Sequence, residues 1–379
     1  MSTQLDPSEF ARYGRHLVLP EVGLAGQARL REASVLVVGA GGLGSPLTLY
    51  LAAAGVGRIG LVEFDTVDLS NLQRQILYGT SDVGRPKLDA AIERLHDVNP
   101  HVKLEAHDAR LSAINAPEIL PGYEIVVDGS DNFQTRYLVN DACVLSGTPN
   151  VHGSVFRFEG QVSLFWPQQG PCYRCLFPQP PPPGAVPNCA EGGVLGVLPG
   201  LVGAVQATET IKWILGRGDT LCGRLLLIDA LEMRFRELEL RRDPECPICG
   251  DAPTIRSLTD SEVSCAAPVG VGPQQRTITA VELQGRLAQD NPPLLLDVRT
   301  AEEWAIGRLP GALHLPVQEL DRRLHEISRD REIVVYCHHG VRGDTAVELL
   351  LHNGYEQVSN LEGGIDAWSA TIDPELPRY

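Results

Sequence analysis

The stretch from residue 34 to residue 64 carries the clearest hydrophobic pattern in the chain. Residues 34–39 (SVLVVG) form an unbroken apolar run of strand length that ends in glycine. Residues 43–54 are rich in Leu and Ala and close on Gly55 as a helix does, and residues 58–64 (RIGLVEF) form a second apolar strand. Strand, helix and strand within about thirty residues make a βαβ unit. Further strands are predicted at residues 103–106, 124–128, 160–166 and 224–229, with helices between several of them. The layout is α/β, with a mainly parallel sheet at its start, of the Rossmann-like kind.

Around residues 178–200 the pattern breaks. The run Gln179-Pro-Pro-Pro-Pro-Gly184 precedes Cys189-Ala-Glu-Gly-Gly193, and proline at that density joins neither sheet nor helix, so a long loop is expected. A polar, Pro- and Gly-containing stretch over 251–275 reads as a linker. Beyond it a shorter α/β pattern begins, with strands at 294–298, 312–315, 332–336 and 358–361 and a helix at 344–352. The expected organisation is one domain over 1–250, a linker over 251–275 and a second domain over 276–379. No internal repeat is present.

Length and composition fit this division. A chain of 379 residues exceeds what one hydrophobic core usually supports, and 43% hydrophobic with 21% charged residues is ordinary for globular protein. The formal net charge of −16 argues against nucleic acid or an anionic membrane as the main partner. The first residues lack a secretory apolar run and no later stretch is long and uncharged enough to cross a bilayer, so a cytoplasmic protein is expected. Nine cysteines in that setting point to metal ligands and reactive thiols rather than disulfides.

The turn between the first strand and helix reads Gly39-Ala-Gly-Gly-Leu-Gly44. Gly39, Gly41 and Gly44 fit GxGxxG, with Gly42 an additional glycine, and such a turn brings the backbone close to a phosphate at a helix N-terminus. Glu63 ends the next strand, where a carboxylate accepts hydrogen bonds from ribose hydroxyls. Alone, this pattern also suits an NAD-dependent oxidoreductase. The following residues point to a triphosphate: Ser70-Asn-Leu-Gln-Arg-Gln75 and Arg85-Pro-Lys87 supply cations and amides, and Asp131 and Asn132 follow another strand end, where an Asp suits Mg²⁺. Taken singly, Arg74 and Lys87 read equally well as surface ion-pair residues and Asp131 as a helix cap.

Arg12-Tyr-Gly-Arg15, GAGGLG, SNLQRQ, VGRPK, GSDN and two CxxC pairs together resemble the ubiquitin-activating-like MoeB/ThiF adenylyltransferases of molybdopterin and thiamine biosynthesis, over residues 9–250. The resemblance implies ATP and Mg²⁺ at Arg15, Asn71, Arg74, Lys87 and Asp131, with Arg15 reaching the site of the other protomer in a homodimer. The family's ribose-binding acid is usually Asp and is Glu63 here.

Cys172-Tyr-Arg-Cys175 and Cys246-Pro-Ile-Cys249 each offer two thiolates on a tight turn, half of a tetrahedral Zn²⁺ site. Four protein ligands leave no open position, so the zinc is expected to be structural. A redox dithiol is the alternative, but neither pair sits beside a thioredoxin-like βαβ unit.

In the second half, Tyr336-Cys-His-His-Gly-Val-Arg342 places Cys337 at a strand end before a helix. A sulfur ringed by backbone N–H groups, with the helix dipole and Arg342 nearby, is expected to have a lowered thiol pKa and to stabilise an anionic persulfide. His338 and His339 are read as rim residues, solvated or tuning the thiolate. With Leu296-Asp-Val-Arg299 and Glu302-Glu-Trp304, the region from residue 276 resembles a rhodanese domain, which implies Cys337 as the persulfide carrier and the loop through Arg342 as its cradle. Relatives often carry Ser where this chain has Gly343.

Together the halves resemble the adenylyltransferase/sulfurtransferase family of the MoeZ/MoeBR type, which makes thiocarboxylates on small ubiquitin-like sulfur carriers ending in Gly-Gly (MoaD/ThiS-like). The resemblance implies a sulfur donor such as thiosulfate or a cysteine-desulfurase persulfide, and it places the family's loop cysteine at Cys189. Two other readings are an oxidoreductase with a fused sulfur domain, for which no hydride-acceptor site is visible, and a scaffold that docks a carrier without chemistry.

Overall fold

The computed structural model describes residues 5–181, 192–259 and 276–379, which divide into two compact units. The first unit, residues 5–181 with 192–259, is built on an eight-stranded sheet in the order β3-β2-β1-β4-β5-β6-β7-β8. Strands β1 (Ser34–Val38), β2 (Arg58–Glu63), β3 (Lys103–Asp108), β4 (Ile125–Asp128) and β5 (Asn150–Phe156) run parallel. The remaining strands, β6 (Glu159–Phe165), β7 (Arg224–Asp229) and β8 (Arg234–Glu239), pair antiparallel beyond β5.

Both faces of the centre of the parallel part are covered, which is why β1, β2 and β4 read as apolar runs. Val35 and Val37 of β1 pack with Leu47 and Leu51 of the Gly44–Ala54 helix, whereas Leu36 and Val38 pack with Val139 and Ala142 of the Phe133–Ser146 helix. Each fully buried Leu or Val side chain of this kind contributes about 1.5–3 kcal/mol.

In this unit two strands lie outside the predicted set, and the short β9 (Thr277–Ile278) of the second unit is a third. β5 (NVHGSVF) mixes polar residues with Gly153, and the space a side chain at 153 would take is filled by Gln206, 2.5 Å from an ideal Cβ. β8 is exposed along its whole length and shows no apolar run. The expected loop over 178–200 ends earlier than its prolines suggested. A helix runs Leu198–Leu215 with Pro199 in its first turn, where proline lacks no needed hydrogen bond.

The second unit, residues 276–379, holds a five-stranded parallel sheet in the order β11-β10-β12-β13-β9. Its strands are β9 (Thr277–Ile278), β10 (Leu294–Asp297), β11 (Leu313–His314), β12 (Ile333–Tyr336) and β13 (Val358–Leu361). Val335 and Leu296 face one core and Val334 and Leu295 the other, so β12 is buried on both sides and its end carries Cys337. The following helix is Val341–His352, three residues longer at its start than predicted, so Arg342 lies in its first turn.

No helix among the described residues is long and apolar enough to cross a membrane.

Candidate functional site

The Gly39–Gly44 turn opens a cavity of the first unit. Gly39 has φ +90°, which disfavours any other residue, and a Cβ on Gly44 would lie 2.0 Å from the Gly39 carbonyl oxygen. The helix that follows has no side-chain cap; Ser45 N–H is spent on the Gly41 carbonyl at 2.9 Å and Pro46 has none, so the helix start meets the cavity through the turn residues Gly41, Gly42 and Leu43 that line it. Gly39, Gly41, Gly42, Glu63, Arg74, Lys87, Asp131 and Asn132 all line this cavity. Arg15 is exposed on the Pro7–Leu17 helix, Gly44 is buried beneath the turn, and Ser70 and Asn71 form a 3-10 turn at the flank, so these four do not line it.

Glu63 is spent largely on the backbone. Its Oε2 accepts from Ala40 N–H at 3.0 Å, and its Oε1 accepts from Phe64 N–H at 2.9 Å and Asp65 N–H at 3.0 Å. A carboxylate offers about four acceptor positions, so little remains for a sugar. Lys87 is not a surface residue: its side chain is buried and pairs with Asp65 at 3.2 Å. Asn132, rather than Asp131, caps the Phe133–Ser146 helix, with its side chain accepting from Thr135 N–H at 2.8 Å. Asp131 is left exposed at the cavity.

Beneath the Asp131 loop lies a buried polar group that local sequence does not reveal. Asp128 accepts from the Ser130 hydroxyl at 2.6 Å and Ser130 N–H at 3.0 Å, its other oxygen faces His152 Nδ1 at 3.3 Å, and its carbonyl accepts from Gln206 at 2.8 Å. Burial works to raise the Asp128 carboxyl, but hydrogen bonds from His152 and Ser130 and the charge of Arg136 hold it low. Burial holds His152 below its usual range, so the pair is carboxylate and neutral imidazole. Gln75 and Arg136 also line the cavity, and Gln75 Oε1 and Arg136 Nε are buried without a partner among the described residues.

The CxxC pairs converge. The sulfurs of Cys172 and Cys246 are 3.6 Å apart, those of Cys175 and Cys249 3.3 Å, and all four ligand atoms lie within 4.8 Å of one another. Tetrahedral thiolates at Zn–S distances of about 2.3 Å stand roughly 3.8 Å apart, so the cluster fits zinc. Asp243 N–H donates to the Cys175 sulfur at 3.4 Å, a contact that orients a ligand thiolate.

Cys337 is buried in the second unit, and its sulfur accepts from Gly340 N–H at 3.1 Å. Here an expectation fails. Burial pushes the thiol above its usual range, and the N–H groups of Gly343, Gly340 and Arg342 with the Arg342 charge offset this only in part. The guanidinium is engaged elsewhere, since Arg342 binds both oxygens of Glu303 at 2.7 Å. His338 also departs from a solvated rim role: it is buried, with only His339 exposed. Cys189 lies outside the described residues.

The fold and these sites define an enzyme of two parts, a nucleotide-type α/β unit with a four-cysteine metal cluster and a unit that presents a cradled thiol. The ThiF family profile matches residues 13–248 and the rhodanese-like domain profile matches residues 279–371. The chain belongs to the ThiF family and carries a rhodanese-like domain behind its ThiF region. It is 45% identical, over all of both chains, to a protein of Mycobacterium tuberculosis named probable adenylyltransferase/sulfurtransferase MoeZ. It is 58% identical to the sulfur carrier protein adenylyltransferase of Thermus thermophilus, over 68% of this chain and 97% of that one. Among solved structures, E. coli MccB shares the fold with a TM-score of 0.58 at 21% identity, over 66% of this chain and 75% of that one.

Proposed function

We propose that this protein adenylates the C-terminal glycine of a small ubiquitin-like sulfur carrier with ATP and then converts the acyl-adenylate to a thiocarboxylate with sulfur carried on Cys337. The observation that carries the reading is the convergence of Arg74, Lys87 and Asp131 on one cavity beneath an uncapped helix N-terminus, in a chain that also holds Cys337 in a ring of backbone donors.

In the first step the carrier's carboxylate oxygen bonds to the α-phosphorus of ATP and the α–β bridging bond breaks, releasing pyrophosphate. The glycine turn and the helix N-terminus hold phosphate oxygens, while Arg74 and Lys87 offset the charge that develops on them. Arg15, exposed on its helix, serves the site of a second copy in a homodimer. Asn132 borders the nucleotide and Asn71 is assigned to it from the flank by the family resemblance, while Asp131 would hold Mg²⁺, which would neutralise phosphate charge. Cys172, Cys175, Cys246 and Cys249 hold a structural Zn²⁺.

In the second step the terminal sulfur of a Cys337 persulfide bonds to the acyl carbon and AMP leaves, giving an acyl disulfide. A thiolate, assigned to Cys189, then bonds to the Cys337 sulfur and expels the carrier thiocarboxylate, leaving a disulfide for reduction. The sulfur on Cys337 comes from thiosulfate or a cysteine-desulfurase persulfide. The domain bounds that serve this scheme are 1–250 and 276–379, in a cytoplasmic protein.

Carrier-dependent exchange of labelled pyrophosphate into ATP tests the first step, and mass spectrometry of the carrier tests the second. A carrier ending in Gly-Gly that supports neither reaction overturns the reading.

A further inference from the structure

The turn that presents Cys337 is held from behind by one residue of the neighbouring strand. Asn360 of β13 is buried at 3% exposure, and its side-chain Nδ2 donates to the Gly340 carbonyl at 2.8 Å and to Asp344 Oδ1 at 2.7 Å. Both partners are acceptors, so the amide nitrogen must face them and Oδ1 must point the other way. That oxygen is buried and has no hydrogen-bond partner among the described residues. It points at Gly343: a Cβ there would lie 2.0 Å from Asn360 Oδ1 and 2.8 Å from its Cγ. The Asn360 side chain thus occupies the volume that any side chain at 343 would need.

The two groups Asn360 holds lie either side of the helix start. Gly340 has φ +104°, and its N–H is the donor to the Cys337 sulfur. Asp344 sits in the first turn of the Val341–His352 helix. Glycine at such a φ is cheap to place and equally cheap to lose, because nothing on the residue itself resists rotation. With its carbonyl anchored and the helix start tied to the same side chain, Gly340 keeps its N–H on the sulfur.

We propose that Asn360 is a positioning residue of the sulfur site, standing in for the side chain that Gly343 lacks and fixing the Gly340 turn that faces Cys337. This rests on the reading of Cys337 as the sulfur-bearing thiol. Asn360 touches no reacting atom. Its effect passes through backbone donors that are preorganised around developing negative charge.

The test uses the full-length protein, sulfur transfer from thiosulfate to cyanide, and the pH profile of Cys337 alkylation by iodoacetamide read on its own peptide by mass spectrometry. Asn360→Ala is expected to lower kcat about 10-fold, with KM for thiosulfate within about 2-fold, because the lost contacts preorganise the sulfur rather than bind the donor. Its alkylation midpoint is expected to move to higher pH. Gly343→Ser alone is expected to lose comparable activity, since its side chain meets Asn360. The double variant Gly343→Ser with Asn360→Ala is expected to recover to within about 3-fold of wild type, as neighbouring substitutions that share one space are strongly non-additive. Wild-type kcat and an unchanged alkylation profile in Asn360→Ala overturn the proposal. So does a double variant no better than Gly343→Ser, an arm that holds even if a single variant folds poorly. Sulfur transfer retained by Cys337→Ala instead overturns the reading of Cys337 itself.

Discussion

The ring of Tyr379 lies flat against the imidazole of His338, with centroids 4.2 Å apart and planes within 7° of parallel. The Tyr379 hydroxyl reaches Arg299 Nη1 at 2.8 Å and Glu303 Oε1 at 3.3 Å, and Glu303 is the residue that holds Arg342. A residue 42 positions after Cys337 by its number, Tyr379 therefore seals the imidazole beside the sulfur and joins the ion-pair chain that ends in the Cys337 turn.

His338 is expected to make the protein acid-sensitive. Burial and the neighbouring His339 hold it down to about 4, against the pull of Glu303 and Asp366. Because the folded value lies below the ordinary 6.5, the unfolded chain binds more protons between those pH values and stability rises with pH across that window. Urea midpoints for unfolding of this unit within the full chain, compared at both ends of the window, are expected to differ more in wild type than in His338→Gln. Equal differences would mean that His338 titrates as an ordinary exposed histidine.

Asp131→Ala is expected to abolish carrier adenylation while sulfur transfer from thiosulfate to cyanide by the same protein stays at the wild-type level. Asp131 lines the nucleotide-type cavity of the first unit and Cys337 belongs to the second. Under the proposed mechanism Mg²⁺ acts only where phosphate charge develops. Normal pyrophosphate exchange by this variant would remove Asp131 from the reaction.

Metal analysis of protein purified without chelator is expected to give one zinc per chain. Cys249→Ala removes one of four converging sulfurs and is expected to lose the metal together with thermal stability, since binding free energy at such a site is folding free energy. Retention of zinc and of the wild-type Tm by this variant would count against a four-sulfur site.

The cysteines divide the labour. Cys337→Ala is expected to form acyl-adenylate and no thiocarboxylate, because Gly39, Arg74, Lys87 and Asp131 all lie in the first unit. Cys189→Ala is expected to adenylate normally and transfer sulfur poorly, with partial rescue by a small thiol that cleaves the acyl disulfide. Single-turnover mass spectrometry of the carrier distinguishes these outcomes, and full activity of Cys189→Ala without added thiol would leave Cys189 without a chemical role.

What sequence could reveal followed from how local each feature is. β1 and its glycine turn were legible because a strand buried on both faces is an unbroken apolar run and because Gly39 needs a φ few residues tolerate. The metal cluster was legible because CxxC spacing is itself the local half of the site. β5 was hidden because Gly153 is required by Gln206, a residue of a distant helix, and β8 because a solvent-exposed edge strand needs no apolar pattern. The site shows the same division. Cys337, Arg74, Lys87 and Asp131 stand in motifs, whereas the Asp128–His152 pair joins residues 24 positions apart. The direction of the Cys337 shift was misjudged because neighbouring residues announce donors and charge, while burial depends on the whole core around β12.

The four sulfurs join the chain to itself across 74 residues at two points, Cys172 to Cys246 and Cys175 to Cys249. The segment so closed contains the Leu198–Leu215 helix, and Gln206 on that helix grips the Asp128 carbonyl immediately before the cavity-lining Gly129. A metal at the cluster would tether one wall of this cavity, since closing so long a loop withdraws conformational freedom from the segment that carries the grip. Chelation is therefore expected to weaken nucleotide binding although none of the four cysteines lines the cavity.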